Sequence, residues 1–307
     1  MEAQKFEDMY TTAKGEQRAH VKLQELKTLW FNTGTLCNLA CDNCYIESSP
    51  TNDRLSYLTK NDVKPYLDEI KNDQLDTELI GITGGEPFLN PSIISIIELS
   101  LSYGFEVLIL TNANRVIKRH EKALLDLKNQ YGDKLHLRIS LDHFTAKIHD
   151  QERGDGAFAK TVDQLKWLYD NNFNLSIASR SLIGETAQKS KDGHKQMFKS
   201  IGITLDLDSK LVVFPEMKSK KDIPEITTAC WDILNVKPEN QMCASERMII
   251  KNKGEDQPVV MPCTLIAYDK EFNLGNTLKD SKSEVYLKHQ FCAEFCVLGG
   301  ASCSGTM

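Results

Sequence analysis

The sequence predicts an α/β fold: a parallel sheet with helical crossovers and a small cysteine-rich region after it. Apolar runs of strand length, with no polar face of their own, recur between residues 28 and 210, which is how strands covered on both faces read. Each is followed by a stretch whose apolar residues fall at helical spacing. After about residue 210 this rhythm stops, and six of the nine cysteines gather there. The chain therefore divides into an extension (1–27), an α/β core (28–210) and a C-terminal region (211–307).

The elements follow in order. Residues 1–27 are polar and helix-compatible. Leu29-Trp30-Phe31 reads as a first buried strand, and 48–53 as a turn-rich link. Thr59 with Asp62 three residues on has the form of a capping box and opens a helix carrying Val63, Tyr66, Leu67 and Ile70 on one face. Strands are expected at 78–83, 105–111, 135–141, 174–180 and 204–208. Helices are expected at 91–103, starting on a proline that a first turn tolerates, and at 121–130, 158–170 and 186–200.

At 307 residues the chain has room for one large domain and a small one. Its 41% hydrophobic and 26% charged residues are those of a globular protein. Lys+Arg 37 against Asp+Glu 43 gives a net charge of -6 with no basic block, which argues against a nucleic-acid or anionic-membrane binder. The first residues lack the apolar stretch of a signal peptide. No run approaches the ~18 apolar residues of a membrane span. A cytoplasmic location is expected, and in a reducing cytosol nine cysteines read as metal or redox groups rather than disulfides.

Two motifs carry chemistry. Cys37, Cys41 and Cys44 are spaced C-x3-C-x2-C in a loop short enough to wrap one inorganic core. Three thiolates suit an iron–sulfur cube with one iron left open, whereas a zinc site would need a further residue from elsewhere. Gly84-Gly85-Glu86-Pro87 follows the apolar run Leu79-Ile80-Gly81-Ile82-Thr83. The glycines let backbone approach a ligand, and Glu86 offers an acceptor to an ammonium group. Together the motifs resemble those of the radical S-adenosylmethionine (radical SAM) enzymes. The resemblance implies a partial (β/α)6 barrel with its chemistry at the C-terminal strand ends. It also implies a [4Fe–4S] cluster on the three cysteines and S-adenosylmethionine cleaved to a 5'-deoxyadenosyl radical, with GGEP holding the cofactor's amino group.

The same resemblance assigns further residues to the cofactor: Tyr45 beside the adenine, Thr111 and Asn112 at the third strand end, Ser140 and Asp142 at the fourth, and Arg180 at the fifth. Ser140-Leu141-Asp142, and the stretch His149-Asp150-Gln151-Glu152-Arg153-Gly154 leading to Phe158, resemble the branch that holds sulfatase and peptide maturases. His143 reads as a solvated loop histidine.

In the C-terminal region, Arg247–Lys251 and Val259–Cys263 read as a hairpin with Cys243 and Cys263 at its feet, followed by Cys292-x3-Cys296-x6-Cys303. This resembles the auxiliary-cluster extensions called SPASM or twitch. It implies a second [4Fe–4S] cluster on Cys243, Cys263 and Cys296, with Cys292 or Cys303 as fourth ligand; a structural zinc site is the alternative. Cys230, beside Trp231, reads as a buried free cysteine. The expected activity is hydrogen abstraction from a small metabolite or a peptide. An auxiliary cluster taking up an electron would make the outcome an oxidation or a cross-link. Residues 1–27 are too short for a winged-helix leader-binding domain. A flavodoxin or ferredoxin is the expected reductant. A non-catalytic iron–sulfur carrier is the rival reading, and it leaves GGEP without a purpose.

Overall fold

The computed structural model describes residues 4–181, 184–215, 223–300 and 302–304. Residues 1–3, part of the stretch read for a signal peptide, lie outside these.

Six parallel strands form the core: β2 (Thr28–Asn32), β3 (Leu79–Thr83), β4 (Glu106–Thr111), β5 (Leu135–Ser140), β6 (Asn174–Arg180) and β7 (Leu211–Phe214). Between them lie α1 (Lys60–Asn72), α2 (Ile93–Ser102), α3 (Glu121–Tyr131), α4 (Ala146–Arg153), α5 (Ala157–Asp170), α6 (Ala187–Ser200) and the one-turn α7 (Leu207–Lys210). The sheet order is β7-β6-β5-β4-β3-β2-β8-β9, where β8 (Glu246–Ile250) runs parallel to β2 and β9 (Val259–Met261) antiparallel to β8. A short β1 (His20–Val21) pairs with β10 (Val285–Tyr286).

Strand alternation separates two apolar cores. Leu29, Phe31, Ile80, Ile82, Val107 and Ile109 face the helices. Trp30, Leu108 and Met248 face the other way, into the barrel, and join the core that holds the C-terminal cysteines. Gly81 is where β3 accepts the Trp30 indole, since a Cβ there would lie 2.2 Å from the ring. The capping box at α1 forms: Thr59 N–H donates to Asp62 Oδ2 at 2.8 Å and Asp62 N–H to Thr59 Oγ1 at 3.3 Å. Val63, Tyr66, Leu67 and Ile70 are buried as a stripe.

Three expectations are corrected. The strand expected at 204–208 is displaced to β7, because Asp206 accepts the Asp208 N–H at 3.1 Å and caps a helical turn where the strand was placed. Among its described residues, 4–27, the extension is not helical. Arg18, fully buried, donates to Asp8 O at 3.0 Å and Thr11 O at 2.8 Å and pairs with Glu225 at 2.7 Å, which holds residues 8–18 in turns and bridges. The hairpin forms, but β8 extends the core sheet beyond residue 210, and α4 occupies the stretch that starts near His149. A strand's own periodicity does not say which sheet it joins.

Candidate functional site

The C-terminal ends of β2 to β7 surround one cavity of ≈ 170 Å³. Cys37, Cys41, Cys44, Tyr45, Gly84, Gly85, Thr111, Asn112, Ser140, Asp142 and Arg180 all line it, as do Arg153 and Cys303. The backbone explains why the two motifs meet. Gly85 N–H donates to Gly34 O at 2.8 Å and Glu86 N–H to Leu36 O at 3.1 Å, stitching the GGEP turn to the strand that feeds the cysteine loop. A Cβ on Gly85 would lie 2.2 Å from Leu36 O, and one on Gly84, whose φ is +143, 2.5 Å from Gly34 O. The glycines are required by this backbone contact as well as by any ligand.

The cysteine loop offers its sulfurs hydrogen bonds. Leu39 N–H points at Cys37 Sγ at 3.4 Å, Ser48 N–H at Cys44 Sγ at 3.3 Å, and Asn112 Nδ2 at Cys37 Sγ at 3.6 Å. Burial, with the neighbouring Glu86, pushes the Cys37 thiol up to about 12. Burial also raises Cys41, while Arg153 pulls it the other way. Thiols this reluctant to ionise need a cation or metal in the cavity to become ligands. Three sulfurs of one loop lining one cavity, two of them receiving backbone N–H groups, fit a [4Fe–4S] cluster with an open iron.

Glu86 and Pro87 do not line the cavity. The Glu86 carboxylate is buried behind the wall, where it accepts from Thr111 Oγ1 at 2.9 Å, Asn112 N at 2.9 Å and Phe88 N at 3.1 Å. Burial outweighs these bonds and raises its pKa to about 7. In this arrangement Glu86 ties β3 to β4.

On the opposite wall Asp142 is engaged by two arginines. Arg153 Nε and Nη2 reach its two oxygens at 2.7 and 2.9 Å, and Arg180 Nε lies 3.4 Å away. Burial alone would raise Asp142, but the two guanidinium groups win and hold it at about 2. Arg180 also donates to Asn43 O and lies over the Tyr45 ring, 4.9 Å from its centroid. Tyr45 donates to Pro215 O at 3.0 Å and meets Phe295 edge-on. The wall thus carries two cations against one carboxylate, a surplus that suits an anionic group. The role of Arg153 was not recognised in the sequence. The signal was its place at the end of α4, four residues before α5 begins, in a stretch read only for its likeness.

His143 is corrected: it is 2% exposed, stacked on Phe144 and 3.5 Å from Glu185, because the loop after β5 folds under α6. Cys230 is half-buried at the head of a short helix, Cys230–Leu234, with Thr227 N–H on its sulfur at 3.4 Å.

The C-terminal cysteines divide. Cys243, Cys263, Cys292 and Cys296 line a second, apolar void with Leu265, Ile266 and Phe291. Cys243 and Cys263 stand at the feet of the β8–β9 hairpin, and Cys292 and Cys296 on the π-helical turn Cys292–Leu298. Burial pushes the first pair up to about 12 and about 11. Arg247 is fully buried beside them and donates to Cys243 O at 2.6 Å, while its Nη2 has no hydrogen-bond partner among the described residues. A buried cation with a spare N–H asks for an anion, and an iron–sulfur core on four thiolates is one. No three His, Cys, Asp or Glu side chains among the described residues are gathered as a single ion would need.

The chain's relatives agree with this geometry. Residues 31–189 match the family model of the radical SAM superfamily. The bacteriocin subtilosin biosynthesis protein AlbA of Bacillus subtilis is 28% identical over 270 residues, covering 81% of this chain and 57% of that protein. The mycofactocin maturase MftC of Mycobacterium tuberculosis is 31% identical over 130 residues, covering 42% of this chain and 31% of the relative. The chain thus spans only a third to just over half of the length of these relatives. Among solved structures, Streptococcus suis SuiB bound to its precursor peptide SuiA superposes with a TM-score of 0.59 at 13% identity over 91% of this chain and 67% of that one. Native anSMEcpe with bound AdoMet gives 0.59 at 16% identity over 83% and 79%; these two likenesses establish the fold. With the family model spanning half the chain, its three cysteines and two glycines on one cavity at the strand ends, the protein belongs to the radical SAM superfamily of enzymes.

Proposed function

We propose that this enzyme opens an unactivated C–H bond of a peptide, using S-adenosylmethionine and a [4Fe–4S] cluster held by Cys37, Cys41 and Cys44. The observation that carries the reading is the single cavity onto which the cysteine loop, the GG turn, Thr111-Asn112 and the Asp142–Arg153–Arg180 wall converge. Bound there, the cluster and cofactor supply one-electron chemistry; everything else falls to the protein. Gly84 and Gly85 keep the backbone low enough for a ligand to lie against it. Asn112 orients Asn38 through a 3.0 Å bond and so fixes the loop between Cys37 and Cys41. Arg153 and Arg180 offer the cavity a positive wall for a carboxylate. Tyr45, Leu110, Phe214 and Leu265 line the cavity with apolar surface, which keeps water from the reacting carbon.

A peptide is favoured as substrate because AlbA is named for bacteriocin biosynthesis, MftC as a maturase, and SuiB is seen with a precursor peptide. A relative on the nucleotide side, the GTP 3',8-cyclase of Staphylococcus epidermidis, is 26% identical over 147 residues and supports the small-metabolite reading less broadly. The second cysteine set is read as an auxiliary [4Fe–4S] cluster on Cys243, Cys263, Cys292 and Cys296, a route for electrons between the cavity and an external flavodoxin or ferredoxin. Iron and zinc analysis of protein purified without oxygen tests this. About eight irons per chain are expected, falling to about four in Cys263→Ala. About four irons with one zinc would make the C-terminal site a staple. Co-expression with small peptides encoded beside the gene, followed by mass spectrometry, tests the substrate class; no modified peptide, together with a modified metabolite, would move the reading to small molecules.

A further inference from the structure

Of the five cysteines at or after the β8–β9 hairpin, four line the apolar void, whereas Cys303 lines the cavity of Cys37, Cys41 and Cys44. Its placement is costly. Arg138 on β5 and Glu246 on β8 are ionisable side chains, 0% and 2% exposed, and both serve the segment 302–304. Arg138 Nη1 donates to Cys303 O at 2.6 Å; Ser302 donates to Glu246 Oε1 at 3.3 Å, and Ser304 donates to the same oxygen. Trp30 Nε1 holds the other Glu246 oxygen at 2.7 Å, and Met242 Sδ accepts the Cys303 N–H at 3.3 Å. The segment is thus drawn through the barrel. Cys303 faces the cofactor cavity, and Ser304 lines a separate cavity with Lys27, Glu78 and Glu106 near the N-terminal ends of the strands. Burying a guanidinium and a carboxyl group to hold three residues is worthwhile only where position matters.

The thiol itself is left for the cavity. Thr264 Oγ1 donates to Cys303 Sγ at 3.1 Å, which leaves the S–H free to point at a ligand. A second group in the same cavity waits for a partner: Ser48 is 6% exposed, and its hydroxyl has no hydrogen-bond partner among the described residues. A buried unpaired hydroxyl on a cavity wall marks a place for a ligand's polar atom.

We infer that Cys303 is the hydrogen donor of the reaction chamber, returning a hydrogen atom to the substrate carbon, and that it is not a ligand of the C-terminal cluster. The inference rests on the radical SAM reading and adds the outcome of the reaction. An S–H bond is weaker than most C–H bonds, so transfer from Sγ to a carbon-centred substrate radical runs downhill. The C–H bond forms, the S–H bond breaks, and the unpaired electron is left on sulfur. One electron from the external reductant and one proton from solvent restore the thiol. The substrate ends with as many hydrogens as it began with, so the reaction changes configuration or skeleton rather than oxidation state, contrary to the oxidation or cross-link expected from the sequence.

The test uses the full chain with both clusters in place. Iodoacetamide labelling with peptide mapping reads Cys303, with the half-buried Cys230, outside the cavity, as internal reference. Saturating S-adenosylmethionine is expected to slow labelling of Cys303 on the order of tenfold or more while leaving Cys230 unchanged. Iron content is expected to be the same in Cys303→Ser as in the parent. In D2O with dithionite and no substrate, the exchangeable S–D is the nearest donor, so 5'-deoxyadenosine from the parent carries deuterium and that from Cys303→Ser does not. Loss of about four irons in Cys303→Ser, unprotected labelling, or deuterium persisting in the variant would overturn the inference while the enzyme class stands. Absence of 5'-deoxyadenosine from the parent itself would remove the reading beneath it.

Discussion

At the scale of single residues, the cavity is set by charges that have settled their partners. Asp142 keeps its charge only because Arg153 and Arg180 overcome the effect of burial. Its pKa lies near 2 in the fold against ~3.9 in an unfolded chain. The stabilisation is therefore complete above about pH 4 and is lost as pH falls through about 2. Asp142→Asn should cost about 3 kcal/mol at pH 7, since it strands Arg153, and the gap to the parent should narrow steadily below pH 4 in urea titrations. A gap that is flat with pH would mean the arginines do not hold the carboxylate. For the first cysteine set, Cys41→Ala should abolish 5'-deoxyadenosine formation while the C-terminal iron stays in place; cleavage surviving in that variant would remove the basis of the assignment.

Elements decide how these residues meet. The contact between the GGEP turn and the strand leading to Cys37 is backbone on backbone, so no side-chain adjustment relieves an added methyl. Gly85→Ala should leave the far-ultraviolet circular dichroism nearly intact yet prevent the first cluster from being reconstituted, read as about four irons per chain instead of about eight. Full iron with a normal cofactor response would show that the turn has slack. What was legible in the sequence follows from the same logic. The strands β2 to β6, the capped helix α1 and the two motifs were readable because local pattern and tertiary role coincide there. The turns around Arg18 were not, because a buried guanidinium that collects carbonyls from distant residues leaves no periodic trace. The Asp206 cap displaced a strand by a few residues for a purely local reason that the apolar count ignored.

At the scale of the molecule, the barrel sheet and the C-terminal region are one structure. β8 prolongs the parallel sheet beside β2, its hairpin sets two thiols at the edge of a second void, and the segment 302–304 returns into the barrel interior. The sequence showed five cysteines there but not their division into four and one, which only the threading of that last segment determines. No helix among the described residues is long and apolar enough to cross a membrane. The coupling of the two cysteine sets through a shared core makes the central claim a claim about chemistry in one cavity. It is tested most directly by reconstituting the chain with iron and sulfide without oxygen, reducing it, adding S-adenosylmethionine and measuring 5'-deoxyadenosine. The account predicts its formation, dependent on Cys37, Cys41 and Cys44. An intact reduced cluster that forms none, and whose spectrum the cofactor does not perturb, would contradict it.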